Sequence, residues 1–114
     1  MIMPAIFPTI PCPESISGHA WVYILQSADG SLYIGQTVNL PERLRKHRLG
    51  LGSKHTRDHE APRLIYCEGP IAPNEAVARE SQLKRWSRAK KEALIRGDTT
   101  ALRQLSQSCG PDPR

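Results

Sequence analysis

The chain has 114 residues, a size typical of one domain, and carries 16 Lys and Arg against 11 Asp and Glu, a formal net charge of +5. This balance suits a polyanionic partner such as nucleic acid, and most of the basic residues lie between Arg43 and Arg96. Three widely spaced cysteines with no C-x-x-C pair argue against a disulfide framework or a zinc knuckle and favour a reducing cytoplasm.

Residues 1–18 are predicted to form a flexible N-terminal arm. Four prolines interrupt this stretch, and it contains no Lys or Arg, which argues against a signal peptide or a membrane span. An unstructured leader is the favoured interpretation, and a docking segment for a partner is the alternative. The domain is expected to occupy residues 19–106, followed by a disordered tail over residues 107–114.

Two strands and a helix are predicted after the arm. The segments 21–25 and 31–35 are rich in aromatic and β-branched residues and flank Asp29-Gly30, a pattern typical of a β-hairpin. Asn39 then favours a helix start, with Pro41 in the first turn and Glu42 at the reciprocal capping-box position. The inward residues of this helix are expected to be Leu40, Leu44 and Leu51.

The second half of the chain predicts a loop, a third strand and further helices. Residues 50–62 contain two glycines and a proline and form the loop, and residues 63–67 form the strand. A helix follows over 74–86, with Ala76, Val77, Leu83 and Trp86 on its apolar side. Ser87 can cap a third helix that ends at Gly97, and Asp98 or Thr99 can cap a short last one. The predicted class is α/β of the α+β type, a small three-stranded antiparallel sheet flanked by helices in the order β-β-α-β-α-α.

Four short motifs together resemble the GIY-YIG nuclease domain over roughly residues 19–96, and the short stand-alone bacterial members most of all. They are Val22-Tyr23-Ile24, Tyr33-Ile34-Gly35, Asn39-Leu40-x-x-Arg43-Leu44-x-x-His47 and Glu80-x-x-x-Lys84. Each motif alone is unspecific, and their order and spacing carry the resemblance. Two departures stand out. Trp21 replaces the glycine of the first motif, and Gln36 stands where some members have lysine.

The resemblance implies a metal-dependent DNA endonuclease whose catalytic residues are Tyr23, Tyr33, Arg43, His47 and Glu80. Arg43 suits charge neutralisation because its guanidinium can hold two phosphate oxygens at once. Glu80 is expected to hold one Mg²⁺ or Mn²⁺ ion, and an i,i+4 salt bridge to Lys84 is the alternative interpretation. His47 can take a proton from a tyrosine or orient it. Tyr23 is favoured as the general base and Tyr33 as the group that orients water or phosphate, although either tyrosine fits the resemblance.

The expected partner is DNA, bound by basic and polar residues on the helices and on the loop at 52–57. Phosphate contacts confer affinity without sequence information, so a structure-selective enzyme of DNA repair or recombination is expected, acting on branched, flapped or nicked DNA alone or with a protein partner. A cytoplasmic, nucleoid-associated monomer without membrane contact is anticipated. The alternative is a non-catalytic DNA- or RNA-binding module of the same fold. The candidate DNA-binding residues are Arg45, Lys46, Lys54, Thr56, Arg57, Lys84, Arg85 and Arg88.

The register of the hairpin decides whether the two tyrosines can share one site. A two-residue turn at Asp29-Gly30 would place Tyr23 and Tyr33 on opposite faces of the sheet, because side chains alternate along a strand. A three-residue loop would place Tyr23 opposite Gly35 and bring both tyrosines to one face, and Gly30 can adopt the left-handed conformation that such a loop requires. We therefore predict the three-residue loop, with both tyrosines on the same face as Arg43, His47 and Glu80.

Overall fold

A three-stranded antiparallel sheet forms the centre of the structure, a computed structural model that describes residues 5–48 and 62–108. The strands are β1 (Ala20–Gln26), β2 (Leu32–Thr37) and β3 (Arg63–Ile71), and their order in the sheet is β2-β1-β3. The helices are α1 (Leu40–Arg48), α2 (Pro73–Lys84), α3 (Arg88–Arg96) and α4 (Thr99–Ser108). The predicted class and element order are confirmed, and the last helix, predicted to be short, is α4 with ten residues.

The central strand β1 is buried along its whole length and supplies a core to each face of the sheet. On one side, here called the α1 face, Tyr23 and Leu25 pack against Leu40 and Leu44 of α1. On the other, the α2 face, Val22 packs against residues of α2. This division follows from the alternation of side chains along an extended strand. The two helices that carry the candidate site therefore cover opposite faces.

The β1–β2 hairpin has the predicted three-residue loop. Ser27 donates its backbone N–H to the carbonyl of Ser31 over 3.0 Å, and the N–H of Gly30 donates to the carbonyl of Ser27 over 2.9 Å. Gly30 has a φ of 91°, a conformation that costs glycine little because it lacks a Cβ atom. In the resulting register Tyr23 lies opposite Gly35 and Leu25 lies opposite Tyr33. Both tyrosines therefore belong to the α1 face.

The cap of α1 was predicted in part. The Asn39 side chain accepts the backbone N–H of Glu42 over 3.1 Å, as expected of an N-cap. The reciprocal half of the capping box is wrong, because the Glu42 carboxylate pairs with Arg45 and the N–H of Asn39 donates to the hydroxyl of Thr37. Leu40 and Leu44 are buried as predicted, and Leu51 lies outside the described residues.

The later helices differ from the predictions mainly at α2. This helix begins at Pro73 and ends at Lys84, so Trp86 lies beyond it, and Val77 is exposed instead of facing the sheet. The caps of the next two helices are as predicted: Ser87 accepts the N–H of Lys90, and Asp98 accepts the N–H of Ala101. Across residues 5–48 and 62–108, none of the helices has the length and apolar character needed to cross a bilayer.

The N-terminal residues are not the free arm that the prolines suggested, as far as residues 5–18 are described. Phe7 is buried, and its backbone N–H donates to the side chain of Gln26 over 2.8 Å. The N–H of Ile10 donates to the carbonyl of Leu64 in β3 over 2.9 Å. Proline spacing predicted an irregular backbone, but this backbone finds its hydrogen-bond partners on the domain.

Candidate active site

The hydroxyl group of Tyr23 lies at the centre of the candidate site. The ring is buried on the α1 face, and it passes over Gly35, which has no side chain in its way. The Nη1 atom of Arg43 donates a hydrogen bond to the Tyr23 hydroxyl oxygen over 3.3 Å. The fold thus joins two of the residues that the sequence pattern singled out, one on a strand and one on a helix.

Arg43 and His47 stand one turn apart on α1, between the core and solvent. Arg43 is exposed, and none of the ion pairs between described residues involves it. Its guanidinium therefore remains available to an anion beside the Tyr23 hydroxyl.

His47 is half-buried, and its Nδ1 atom has no hydrogen-bond partner within residues 5–48 and 62–108. Burial lowers the pKa of His47, and the positive charge of Arg43 lowers it further. The imidazole is therefore neutral at pH 7 and can accept a proton.

Tyr33 reaches the same face from β2, the edge strand. Its side chain is 41 % exposed, whereas Tyr23 is almost completely buried. The two tyrosines therefore differ in environment although they share a face. Tyr23 is held by the core and by Arg43, and Tyr33 is partly exposed to solvent.

Glu80 was predicted to lie on the same face of the sheet as the tyrosines. This expectation is wrong, because α2, the helix that carries Glu80, covers the opposite face. Ala76 and Leu83 anchor α2 on the α2 face, packed against Val22. Glu80 follows Ala76 by four residues and precedes Leu83 by three, so it lies on the sheet-facing side of α2. Its side chain is 22 % exposed and pairs with Lys84 over 3.4 Å. Because α2 packs against the edge strand β2, Glu80 can join the tyrosines only around that edge.

The residues predicted to contact DNA fall into three groups. Arg45 and Arg88 are exposed but engaged in ion pairs, with Glu42 over 2.6 Å and with Glu92 over 2.8 Å. Lys46, Lys84 and Arg85 are exposed, and Lys84 is the partner of Glu80. Lys54, Thr56 and Arg57 lie outside the described residues.

Two side-chain clusters were missed by the reasoning from sequence. Gln26 is fully buried at the end of β1 and binds backbone groups of the N-terminal segment. Arg79 joins α2 to β3 through Glu68 and also lies over the ring of Trp86, 5.2 Å from its centroid. A glutamine that directly follows the apolar run 21–25 was the available signal for the first cluster. For the second cluster, the sequence around Arg79 suggests only a contact within α2, to Gln82 three residues later, and does not indicate the partner Glu68 on β3.

Comparison with known proteins supplies the family. The model of the GIY-YIG catalytic domain matches residues 19–93. A UPF0213 protein of Streptococcus pneumoniae is 38 % identical over 93 residues, which cover 80 % of this chain and 94 % of that protein. A UPF0213 protein of Natronomonas pharaonis is 39 % identical over 79 residues, covering 69 % of this chain and 93 % of the relative.

A solved structure is also similar to the chain. The solution NMR structure of a UPF0213 protein from Bacillus halodurans shares 38 % identity, covers 70 % of this chain and 85 % of its own, and has a TM-score of 0.48. The family assignment depends on the matched domain and on the sequence relatives. The chain belongs to the GIY-YIG nuclease family.

Proposed function

We propose that the chain is a divalent-metal-dependent endonuclease that hydrolyses DNA phosphodiester bonds. The observation that carries this proposal is the hydrogen bond from Arg43 to the Tyr23 hydroxyl, on a face where Tyr33 and His47 also lie. Phosphodiester hydrolysis needs a nucleophilic water and neutralisation of charge on the phosphate oxygens. A tyrosine beside an available guanidinium offers groups for both tasks.

Arg43 would bind the scissile phosphate. An exposed guanidinium can donate to two phosphate oxygens at once, and one of its nitrogens already fixes the Tyr23 oxygen nearby. Tyr23 would orient or deprotonate the attacking water, because its hydroxyl oxygen is held beside that phosphate position. The neutral imidazole of His47 would accept the proton, and Tyr33 would orient water or phosphate from the exposed edge strand.

Glu80 is the residue that would hold a single Mg²⁺ or Mn²⁺ ion. Within residues 5–48 and 62–108 there is no group of three or more His, Cys, Asp or Glu side chains that could form a metal cage. One carboxylate, with water and phosphate as the other ligands, nevertheless fits Mg²⁺, which keeps much of its hydration shell in proteins. When bound, the ion would neutralise developing negative charge and polarise water.

DNA would lie along the basic surface of α1 and of the α2–α3 turn. Arg45, Lys46, Lys84, Arg85 and Arg88 would each contact phosphates there. The same role is proposed for Lys54, Thr56 and Arg57, which lie outside the described residues. Such contacts give affinity without reading sequence. The proposal therefore extends to selectivity for branched, flapped or nicked DNA in repair or recombination. The protein would act as a monomer in the cytoplasm near the nucleoid, either alone or with a protein partner that adds specificity.

One observation favours a second candidate, a DNA- or RNA-binding module without catalysis. Glu80 belongs to a helix on the opposite face from the tyrosines and forms an ion pair with Lys84, as a purely structural glutamate would. If Glu80 does not reach the phosphate around the edge of β2, the basic surface would still bind nucleic acid.

Cleavage of branched and linear DNA of one sequence decides between the two candidates. The wild type, Glu80→Ala and Glu75→Ala are compared with Mg²⁺, Mn²⁺ or EDTA, Glu75 being an exposed carboxylate in the first turn of the same helix. Metal-dependent cleavage that Glu80→Ala abolishes and Glu75→Ala retains supports the nuclease. A gel shift without cleavage by the wild type contradicts it and favours the binding module.

A further inference from the structure

The side chain of Gln26 joins two segments that lie far apart in the sequence. Its Nε2 atom donates to the carbonyl of Ala5 over 2.7 Å and to the carbonyl of Gly30 over 3.3 Å. Its Oε1 atom accepts the backbone N–H of Phe7 over 2.8 Å. One fully buried amide thus serves two backbone groups of the N-terminal segment and one of the hairpin loop.

Residues 5–10, here called the strap, pass around the beginning of β3 from one face of the sheet to the other. Phe7 packs on the α2 face with Ile24, and Ile10 packs on the α1 face with the cluster that contains Tyr23. Arg63 fixes the middle of the strap, because its Nη1 atom donates to the carbonyl of Phe7 over 2.9 Å and to the hydroxyl of Thr9 over 3.0 Å. The strap is therefore attached to both layers of the core.

The strap lies outside the residues that match the GIY-YIG catalytic domain, which begin at residue 19. Through Gln26 the strap is nevertheless linked to the hairpin loop. The backbone hydrogen bonds of Ser27 and Gly30 in this loop set the register of β1 and β2. That register brings Tyr23 and Tyr33 to the same face. The residues of the matched catalytic domain do not by themselves explain why the strap is linked to the hairpin.

We propose that the strap is a working part of the catalytic domain, and that Gln26 is a positioning residue through which the strap holds the tyrosine hairpin in register. Without the strap the buried amide loses two of its three partners, and an amide left unsatisfied in the core must turn towards water. The carbonyl of Gly30 then loses its donor as well. The loop that aligns the two tyrosines becomes the part of the sheet most affected.

Hydrogen exchange of individual amides tests this coupling in the full-length chain. The variants are Phe7→Ala and Gln26→Leu, and Ile6→Ala is the matched control because Ile6 neighbours Phe7 but is 57 % exposed. We expect the Ser27 and Gly30 amides to exchange about tenfold faster or more in both variants, while the amides of α2 keep their wild-type protection. The control is expected to match the wild type.

Two results would overturn the proposal. One is unchanged exchange at Ser27 and Gly30 in Phe7→Ala, and the other is an equal rise at the hairpin and in α2, which would indicate general loss of stability. If Gln26→Leu does not fold, Phe7→Ala decides, since it leaves the amide in place and removes only the packing of the strap.

The effect on the tyrosines rests on the proposed nuclease function and is measured separately. At a temperature where the variants are fully folded, Phe7→Ala is expected to lower kcat about tenfold and to leave KM for DNA unchanged. If the hairpin amides of Phe7→Ala exchange faster while kcat is unchanged, the positioning role of Gln26 is overturned. If the wild type itself does not cleave DNA, the proposed function fails, whereas the exchange experiment still decides whether the strap controls the hairpin.

Discussion

Gly35 lies directly beneath the ring of Tyr23, so close that a side chain at this position would force the ring to move. A Cβ atom on residue 35 would stand 2.5 Å from the Tyr23 hydroxyl oxygen and 2.6 Å from Cζ. These distances are far shorter than van der Waals contact, and the neighbour concerned is the end of the ring that accepts the Arg43 hydrogen bond. The missing side chain therefore leaves the space that the phenol oxygen occupies.

We predict that Gly35→Ala displaces the Tyr23 hydroxyl and lowers DNA cleavage about tenfold or more. Overpacking of this kind costs about 1–3 kcal/mol of stability, so the free energy of unfolding should be measured together with the rate. Tyr23→Phe is the reference, since it removes the hydroxyl and leaves Gly35 in place. A Gly35→Ala protein with wild-type activity would show that the position of this hydroxyl does not matter.

Arg43→Ala and Glu80→Gln are each expected to reduce kcat/KM about a hundredfold or more, because each removes charge stabilisation that is used mainly in the transition state. Circular dichroism should show an intact fold. Arg103→Ala is the control, since Arg103 is an exposed arginine on α4 outside the proposed DNA-binding surface. Near-normal turnover by either active-site variant would remove that residue from the mechanism.

The features predicted well from the sequence are those that neighbouring residues decide. The caps of three helices follow from Asn39, Ser87 and Asp98. The three-residue hairpin loop is permitted locally by Gly30, but the requirement that two tyrosines share a face selected it over the two-residue turn. In each case a side chain or a backbone conformation meets its partner within a few residues.

The features that were missed depend on contacts between distant parts of the chain. Which face α2 covers depends on how the chain leaves β3, and no residue near Glu80 encodes that path. Gln26 binds Phe7 across 19 positions, and Arg79 reaches Glu68 across 11. The prolines of residues 1–18 predicted an irregular backbone, but an irregular backbone can be either free or packed on the domain, and only the tertiary structure distinguishes the two.

The lowered pKa of His47 predicts a specific dependence of stability on pH. Because the folded pKa lies below the ordinary value of 6.5, the unfolded chain binds more protons than the folded chain once the pH drops below about 6.5. The stability associated with a neutral His47 is therefore fully present above that pH and is lost as the pH falls towards the folded pKa. His47→Gln should remove this component from the free energy of unfolding.

NMR titration of the His47 ring checks the causes of that shift. Burial remains in Arg43→Ala but the neighbouring positive charge is lost, so the pKa of His47 should rise from its wild-type value and stay below 6.5. A pKa that does not move between the two proteins would show that Arg43 does not act on the imidazole.

DNA affinity should fall steeply with added salt if the basic surface binds phosphates. Arg85 is exposed at the end of α2, and none of the ion pairs within the described part of the chain includes it. Arg85→Ala should therefore reduce the slope of log K against log salt concentration by about 0.9, the amount expected for one phosphate contact. Arg103→Ala, an exposed change on α4, should leave the slope as it is. Equal slopes for the wild type, Arg85→Ala and Arg103→Ala would show that Arg85 does not contact a phosphate.

The stability of the α2 face should depend on Arg79, which joins α2 to β3. Its guanidinium donates to both carboxylate oxygens of Glu68, over 2.7 and 3.0 Å, and Tyr66 donates to the same carboxylate. Burial alone would raise the pKa of Glu68, but these hydrogen bonds outweigh it and lower the pKa. The two side chains are only 26 % and 24 % exposed, so solvent screens their attraction less than it screens a surface pair.

Arg79→Met keeps much of the apolar stem and removes the charge, so it leaves the Glu68 carboxylate half-buried without its main partner. We expect a loss of about 1–3 kcal/mol in the free energy of unfolding at pH 7. In the wild type, the stability from this pair should be lost as the pH falls from about 4.5 through the lowered pKa of Glu68, and in Arg79→Met that loss should be smaller. Denaturant unfolding at pH 7 and at pH 3 measures both effects. Arg45→Met, which breaks an exposed pair, serves as the control and should change stability far less; an equal loss in the two variants would show that the Arg79 pair behaves as an ordinary surface salt bridge.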